Sequence, residues 1–264
     1  MEILKKGEYT GDVIRRLNID GNIITNTHYS KEKNNPEWHF HENFHICFVF
    51  QGGKAETNRN STYSKKEGSI FSYFTGEKHR WISYKPISKS ANIEIGSDFL
   101  KKYGLSENSI KENIYRNIDA KSIILKMQKE MMMNTVESVT TIHSLLLELV
   151  SGSNESQVKH IPYWAIALNE LLHDNWNEQM TLKEMSEAIG VHPVTISKFF
   201  RKYFACTLGE YQRKLKIEQS IQLIKNSNLS LSEIAFHCGF SDQSHFIRNF
   251  KEMTGFLPKH FQKY

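Results

Sequence analysis

The feature that most constrains this chain is a repeat inside its last third. One copy is TLKEMSEAIGVHPVTISKFFRKYF, residues Thr181 to Phe204, and the other is SLSEIAFHCGFSDQSHFIRNFKEMTG, residues Ser230 to Gly255. Each opens with a hydroxyl residue followed three positions later by glutamate, Thr181 with Glu184 and Ser230 with Glu233. That is the spacing at which both side chains satisfy free amides of a helix start. Each then reaches a glycine followed by an apolar residue, Gly190-Val191 and Gly239-Phe240. Glycine tolerates the positive φ that stops a helix sharply. A second helix follows at once, opened by Pro193 in one copy and by Ser241-Asp242 in the other. Helix, glycine turn and helix together are the pattern of a helix-turn-helix unit.

The second helix of each copy divides into a core face and a free face. Ile196, Phe199, Phe200 and Tyr203 fall at i, i+3, i+4 and i+7, and Phe246, Phe250 and Met253 play the same part in the second copy. Aligning Phe200 with Phe250 sets Lys198 level with Arg248, Val194 with Ser244 and Thr195 with His245. The outward residues Val194, Thr195, Ser197 and Lys198, and Gln243, Ser244, His245 and Arg248, suit base edges. Arg and Lys donate to guanine O6 and N7, Gln pairs with adenine, and methyl groups meet the thymine methyl. Arg201, Lys202, Arg213, Lys214, Lys216 and Lys251 are expected to contact phosphates. Charge agrees with this. The chain carries a formal +5, yet residues 192–264 hold 11 Lys/Arg against 5 Asp/Glu, leaving the remainder near −1. Double-stranded DNA is the expected partner.

The words SLSEIAFHCGFSDQSHFIRNFKEMTGFLP and LGEYQRKLKIEQSIQLI resemble the DNA-binding domain of the AraC/XylS family over about 100 residues, Ile161 to Tyr264. The resemblance implies a linking helix, about Leu208 to Lys225, that presents both units to successive major grooves, with half-sites about 10 bp apart. It also implies a regulator, activators being the commoner kind, with RNA polymerase as partner and a homodimer as assembly. Ala205 stands where the family usually has glycine, Lys216 where it has arginine, Ser220 where it has alanine and Gln262 where it has arginine.

The fold class expected is α+β in two domains: an N-terminal β-barrel with following helices, then an all-α tandem helix-turn-helix joined by a linking helix. Residues 1–95 are rich in short alternating runs and glycine breaks, such as Phe44 to Phe50 before Gly52-Gly53, and read as a sandwich or barrel. Residues 97–150 turn helical, with Ile142, Leu145, Leu146 and Leu149 in one stripe and Ile124, Met127 and Met131 in another. These stripes suit packing on the barrel or pairing of protomers. By the same resemblance, residues 1–150 are assigned to effector binding and dimerisation. Residues 151–160, small and polar, form the linker, and residues 161–264 the DNA-binding domain.

Family members often carry a cupin-like effector domain in front, and two words here match cupin spacings: His39-x-His41-x3-His45-x6-Gly52 and Gly68-x5-Phe74-x-Gly76-x2-His79. His45 stands where glutamate is usual and Phe74 where proline is usual. The resemblance implies that His39, His41, His45 and His79 converge. They would line a pocket for a small-molecule effector, or ligate a divalent transition metal such as Zn²⁺, Ni²⁺, Cu²⁺ or Fe²⁺. Trp38, Phe44, Phe48, Tyr73 and Trp81 are candidate walls, with Trp38 and Trp81 assigned to the pocket beside the histidines. A metal-responsive regulator and a metal-dependent cupin enzyme are the alternatives. GxSxG, Walker and Rossmann words do not occur. Three scattered cysteines, Cys47, Cys206 and Cys238, and a charged N-terminus without an apolar core predict a cytoplasmic protein with no membrane span.

Overall fold

The computed structural model describes residues 2–29, 37–58, 61–84, 88–151, 162–178 and 180–263. The chain divides into two compact units: residues 1–116 with 120–151, and residues 152–264 with 117–119. Apart from Ser151, the expected linker lies outside the described residues.

The first unit holds ten strands: β1 (Glu2–Leu4), β2 (Asp12–Ile19), β3 (Asn22–Tyr29), β4 (His39–His41), β5 (Phe44–Gln51), β6 (Lys54–Asn58), β7 (Ser61–Lys65), β8 (Ile70–Tyr73), β9 (His79–Tyr84) and β10 (Ser88–Ile95). They form two five-stranded sheets, ordered β1-β4-β9-β6-β7 and β2-β3-β10-β5-β8. The closed barrel expected from the sequence is not what the described strands make. β1, β7, β2 and β8 each have a ladder partner on one side alone, so both sheets stay open. The chain crosses between them repeatedly, and the step from β5 to β6 depends on glycine. Gly53 sits at φ 112°, and a Cβ there would lie 2.1 Å from the Lys65 carbonyl oxygen.

Alternation along β5 decides which side chains meet the other sheet. His45 pairs with Tyr73 and Glu94, and Cys47 with Asn92. These residues, with Thr25 and Thr27, share one face of the sheet. The opposite face carries Phe44, Ile46 and Phe48 with Ile24 and Ile93, all at most 1% exposed. Phe44 and Phe48, expected as pocket walls, therefore point away from the histidines; Phe44 meets Phe74 and Phe48 meets Phe50.

Four helices follow: α1 (Ser97–Tyr103), α2 (Glu107–Arg116), α3 (Ala120–Met133) and α4 (Val136–Ser151). Polar ties fasten them to the strands. Arg15 donates to the Met131 carbonyl at 2.7 Å, and Asp20 accepts from Lys102 at 2.9 Å. Ile124, Met127 and Met131 of α3, and Ile142, Leu146 and Leu149 of α4, are buried within the unit. Leu145, the remaining member of the α4 stripe, is half-buried.

The second unit is helical: α5 (Tyr163–Asp174), α6 (Leu182–Ile189), α7 (Pro193–Phe204), α8 (Leu208–Asn226), α9 (Leu231–His237), α10 (Gln243–Thr254) and α11 (Pro258–Lys263). Leu168, Leu172, Met185, Ile196, Phe200, Tyr211 and Leu215 form one core around α5 to α8. Ile221 and Ile224 of α8 are buried as well, as are Ile234, Phe246, Phe250 and Phe261 in the helices that follow. Among the described residues no helix is long and apolar enough to cross a membrane. All three cysteines are free and buried.

Candidate functional site

The two helix pairs are built from the same local devices. Thr181 accepts from the Glu184 amide while the Glu184 carboxylate accepts from the Thr181 amide, and Ser230 and Glu233 repeat this arrangement. Thr207 and Glu210 form a third capping box, at the start of α8. Gly190 and Gly239 both adopt positive φ, 70° and 66°. His192 caps α7 ahead of Pro193, and the Asp242 carboxylate caps α10 by accepting from the His245 amide at 2.8 Å.

On α7, Val194, Ser197 and Lys198 are exposed and Thr195 is half-buried. Ser197 donates its hydroxyl to the Val194 carbonyl at 3.2 Å. Phe199, read from the sequence as core, is 38% exposed; the buried stripe narrows to Ile196 and Phe200, with Phe204 stacked on Phe200 at 4.1 Å. Lys198 lies over the Phe199 ring at 5.5 Å. On α10, Gln243, Ser244 and Arg248 are exposed. Ser232 donates to the Gln243 side-chain oxygen at 2.6 Å, leaving that amide's NH₂ as donor. His245 is half-buried, edge-on to Phe240 at 5.4 Å, with Nδ1 3.2 Å from the Ser241 hydroxyl.

Of the cations assigned to phosphates, Arg201, Lys202, Arg213 and Lys251 are exposed. Lys214 is half-buried in a 2.6 Å ion pair with Asp119, whose segment clusters with this unit. Lys216 departs from expectation. Its ammonium donates to the Gly239 carbonyl at 2.8 Å beneath Phe240, and burial pushes its pKa down. The residue is 9% exposed and so is turned into the fold, away from any phosphate.

In the first unit the histidines gather between the sheets. His39 and His41 lie on one face of β4 with Phe40 between them, and His39 is in register with His79 of β9. The three are 3%, 4% and 2% exposed, with one ligand-capable atom of each within 4.8 Å of the others. Nδ1 of His39 lies 3.2 Å from the Glu37 carbonyl, and Nδ1 of His79 lies 2.9 Å from the Glu77 carbonyl. A carbonyl only accepts, so both Nδ1 atoms carry the proton and both Nε2 atoms are left as ligand nitrogens. His45 meets His41 edge-on, with ring centroids 4.1 Å apart, and its Nε2 is 3.0 Å from the Asn92 side-chain oxygen. Of the four histidines, His39, His41 and His79 are the ones whose ligand atoms come within 4.8 Å of one another, and they fit an ion by donor type.

Sequence reasoning missed the charged neighbours of this cluster. Glu56 is fully buried, 2.9 Å from the Lys65 ammonium, and accepts a short hydrogen bond from the Tyr73 hydroxyl. Tyr73 stacks on His79 at 4.2 Å. Burial pushes the His79 imidazole down to about 3, against the raising influence of Glu56, so it is neutral near pH 7. Burial first, then Glu56, holds the Tyr73 hydroxyl well above the usual phenol range. Trp38 and Trp81 do not line this space. Trp38 is half-buried under Arg80, at 5.1 Å, and Trp81 is buried outside the lining set. A signal for the missed residues exists in the strands themselves. Asn92 and Glu94 alternate with Ala91, Ile93 and Ile95, a polar row on a buried strand.

Two capped helix-turn-helix units sharing one connecting helix, with exposed lysine and arginine on the outer helices, define a tandem DNA-binding fold. A helix-turn-helix domain model matches residues 185–264. The HTH-type transcriptional regulator GbdR of Pseudomonas aeruginosa is 29% identical over 113 residues, covering 43% of this chain; the chain spans 29% of that relative's length. The Msm operon regulatory protein of Streptococcus mutans is 21% identical over 274 residues, with 96% of this chain and 97% of that one covered. Among solved structures, ToxT of Vibrio cholerae overlays at a TM-score of 0.38 with 13% identity, covering 91% of this chain and 98% of that one, too loosely to bear on the arrangement here. The second unit therefore carries a helix-turn-helix DNA-binding domain similar to those of HTH-type transcriptional regulators.

Proposed function

We propose that this protein regulates transcription by reading two successive major grooves of duplex DNA with α7 and α10, and that its first unit senses a small effector. One observation carries the reading: the same capping box, left-handed glycine and basic outer helix occur twice, on either side of α8. Val194, Thr195, Ser197 and Lys198 would read one half-site, and Gln243, Ser244, His245 and Arg248 the other. Arg201, Lys202, Arg213 and Lys251 would hold phosphates and set the salt dependence. Lys214 would join them only by leaving Asp119. The protein acts in the cytoplasm as a homodimer, recruits RNA polymerase, and activates rather than represses.

Selection of bound duplexes from a random library tests this. The expected product is two conserved blocks centred about 10 bp apart, one helical turn. A single block, or no enrichment, would contradict the reading.

A further inference from the structure

We infer that Ser232 is a positioning residue for base recognition: it holds the Gln243 amide with its NH₂ group toward the DNA, so that the α10 half-site carries guanine, and not adenine, where Gln243 reaches a base. This rests on the reading proposed above, in which Gln243 reads a base from the major groove.

Gln243 is the first residue of α10, and the first turn of a reading helix is the part that meets base edges. Its backbone is fixed there by the Asp242 carboxylate, which accepts from the His245 amide at 2.8 Å. Ser232 is held as firmly across the turn. It lies between Ser230 and Glu233, whose capping box closes the start of α9. Ile234 and Ala235 of α9 and Phe246 and Phe250 of α10 are buried, which anchors both helices in the unit. The Ser232 hydroxyl lies 2.6 Å from the Gln243 side-chain oxygen. That distance suits O–H···O and is shorter than the usual N–H···O range of about 2.7–3.2 Å, so the amide has its oxygen, not its nitrogen, on the serine.

The orientation sets what the amide can read. A free Gln pairs with adenine by accepting from N6 and donating to N7 at once. Here the accepting atom is turned to α9 and engaged, and the two N–H donors are left for the groove. Two donors match guanine, whose major-groove edge offers O6 and N7 as acceptors. Against adenine N6 or cytosine N4 they set donor against donor, and thymine, with O4 alone, ranks between. Both side chains are exposed in the free protein, so the bond adds little to stability. Its effect grows once the groove excludes water and a mismatched donor stays unpaired. The repeat supplies an internal comparison. The two caps set Lys183 level with Ser232, and the two phenylalanines set Pro193 level with Gln243. Lys183 faces Glu187 at 3.8 Å, and Pro193 has no polar side chain, so the device belongs to the α10 block alone.

The test uses the full chain and the selected duplex, with each base pair of the α10 block replaced in turn by the other three. The base pair that Gln243 reads is the one whose preference Gln243→Ala abolishes. There the wild type should prefer guanine over adenine by about tenfold or more. Ser232→Ala should lower that ratio about fivefold or more and leave preferences at all other positions, and in the α7 block, unchanged. Ser232→Thr, which keeps the hydroxyl, should retain the wild-type ratio. A circular dichroism melt on each variant separates loss of the contact from loss of the fold. Adenine preferred by the wild type at that position, or a ratio unmoved in folded Ser232→Ala, overturns the proposal. So does a uniform loss of affinity across all positions in Ser232→Ala, which is what a mere prop for α10 would give. If Gln243→Ala changes preference nowhere while binding stays sequence-specific, the base contact of Gln243 falls, and the proposal with it. No sequence-specific binding by the folded wild type overturns the DNA-reading function itself.

Discussion

The Lys216 ammonium donates to the carbonyl of Gly239 at 2.8 Å, tying the linking helix to the turn of the second helix-turn-helix unit 23 residues away. This contact makes Lys216 a structural residue. Lys216→Ala leaves the Gly239 carbonyl without its donor and should destabilise the protein by about 1–2 kcal/mol, read by thermal or denaturant unfolding. The slope of log affinity against log salt should stay unchanged. A phosphate contact would instead lower that slope by about 1.

Ala205 ends α7 at φ 56°, ψ 8°, a left-handed conformation that costs a residue with a Cβ roughly 1 kcal/mol. Ala205→Gly relieves it and should raise stability by about 0.5–1 kcal/mol, less some loss through the freer unfolded chain. A lower melting temperature would mean that the Ala205 methyl contributes packing that outweighs its backbone strain.

The capping boxes link stability to pH. Hydrogen bonds from the Thr181 backbone and hydroxyl hold the Glu184 carboxyl below its ordinary value; Thr207 does the same for Glu210, and Ser230 for Glu233. A carboxyl depressed in the folded state contributes stability above its unfolded value, near 4.3, and loses it as pH falls through the folded value. The melting temperature of the wild type should drop below about pH 4.5, and the Glu184→Gln/Glu233→Gln variant should show a shallower dependence. Thr181→Ala and Ser230→Ala should each cost about 1 kcal/mol at neutral pH.

Lys65 and Glu56 are a buried pair, with side chains 2% and 0% exposed. Lys65→Met removes the cation from a buried carboxylate and should cost about 3–5 kcal/mol. The double variant Lys65→Met/Glu56→Gln should recover much of this, which a double-mutant cycle by denaturant unfolding will show.

What the sequence made legible is the local part. Capping boxes, turn glycines and the helix after each glycine are specified within a few residues, so the two helix-turn-helix units and the span of α8 could be read directly. Longer-range facts could not. Lys216 looks like any exposed helix lysine until its partner 23 residues on is known. His45 matches a ligand spacing, yet the fold gathers the ligand atoms of His39, His41 and His79. Phe44 and Phe48 look like pocket walls, but period-two alternation puts them opposite His45, and only the pairing of β5 with β8 and β10 reveals which face meets the second sheet. Phe199 fits the helical period of a core residue but falls at the edge of the stripe, where it meets Lys198 instead.

The central claim is that two helices of one chain read two separate blocks of DNA. The direct measurement is equilibrium binding of Lys198→Ala and Arg248→Ala to the selected duplex and to versions with one block scrambled. Each variant should lose about 1–3 kcal/mol of base discrimination in a different block and keep the other. Loss confined to the same block for both variants, or no loss for either, would contradict the assignment of α7 and α10 as the two reading helices.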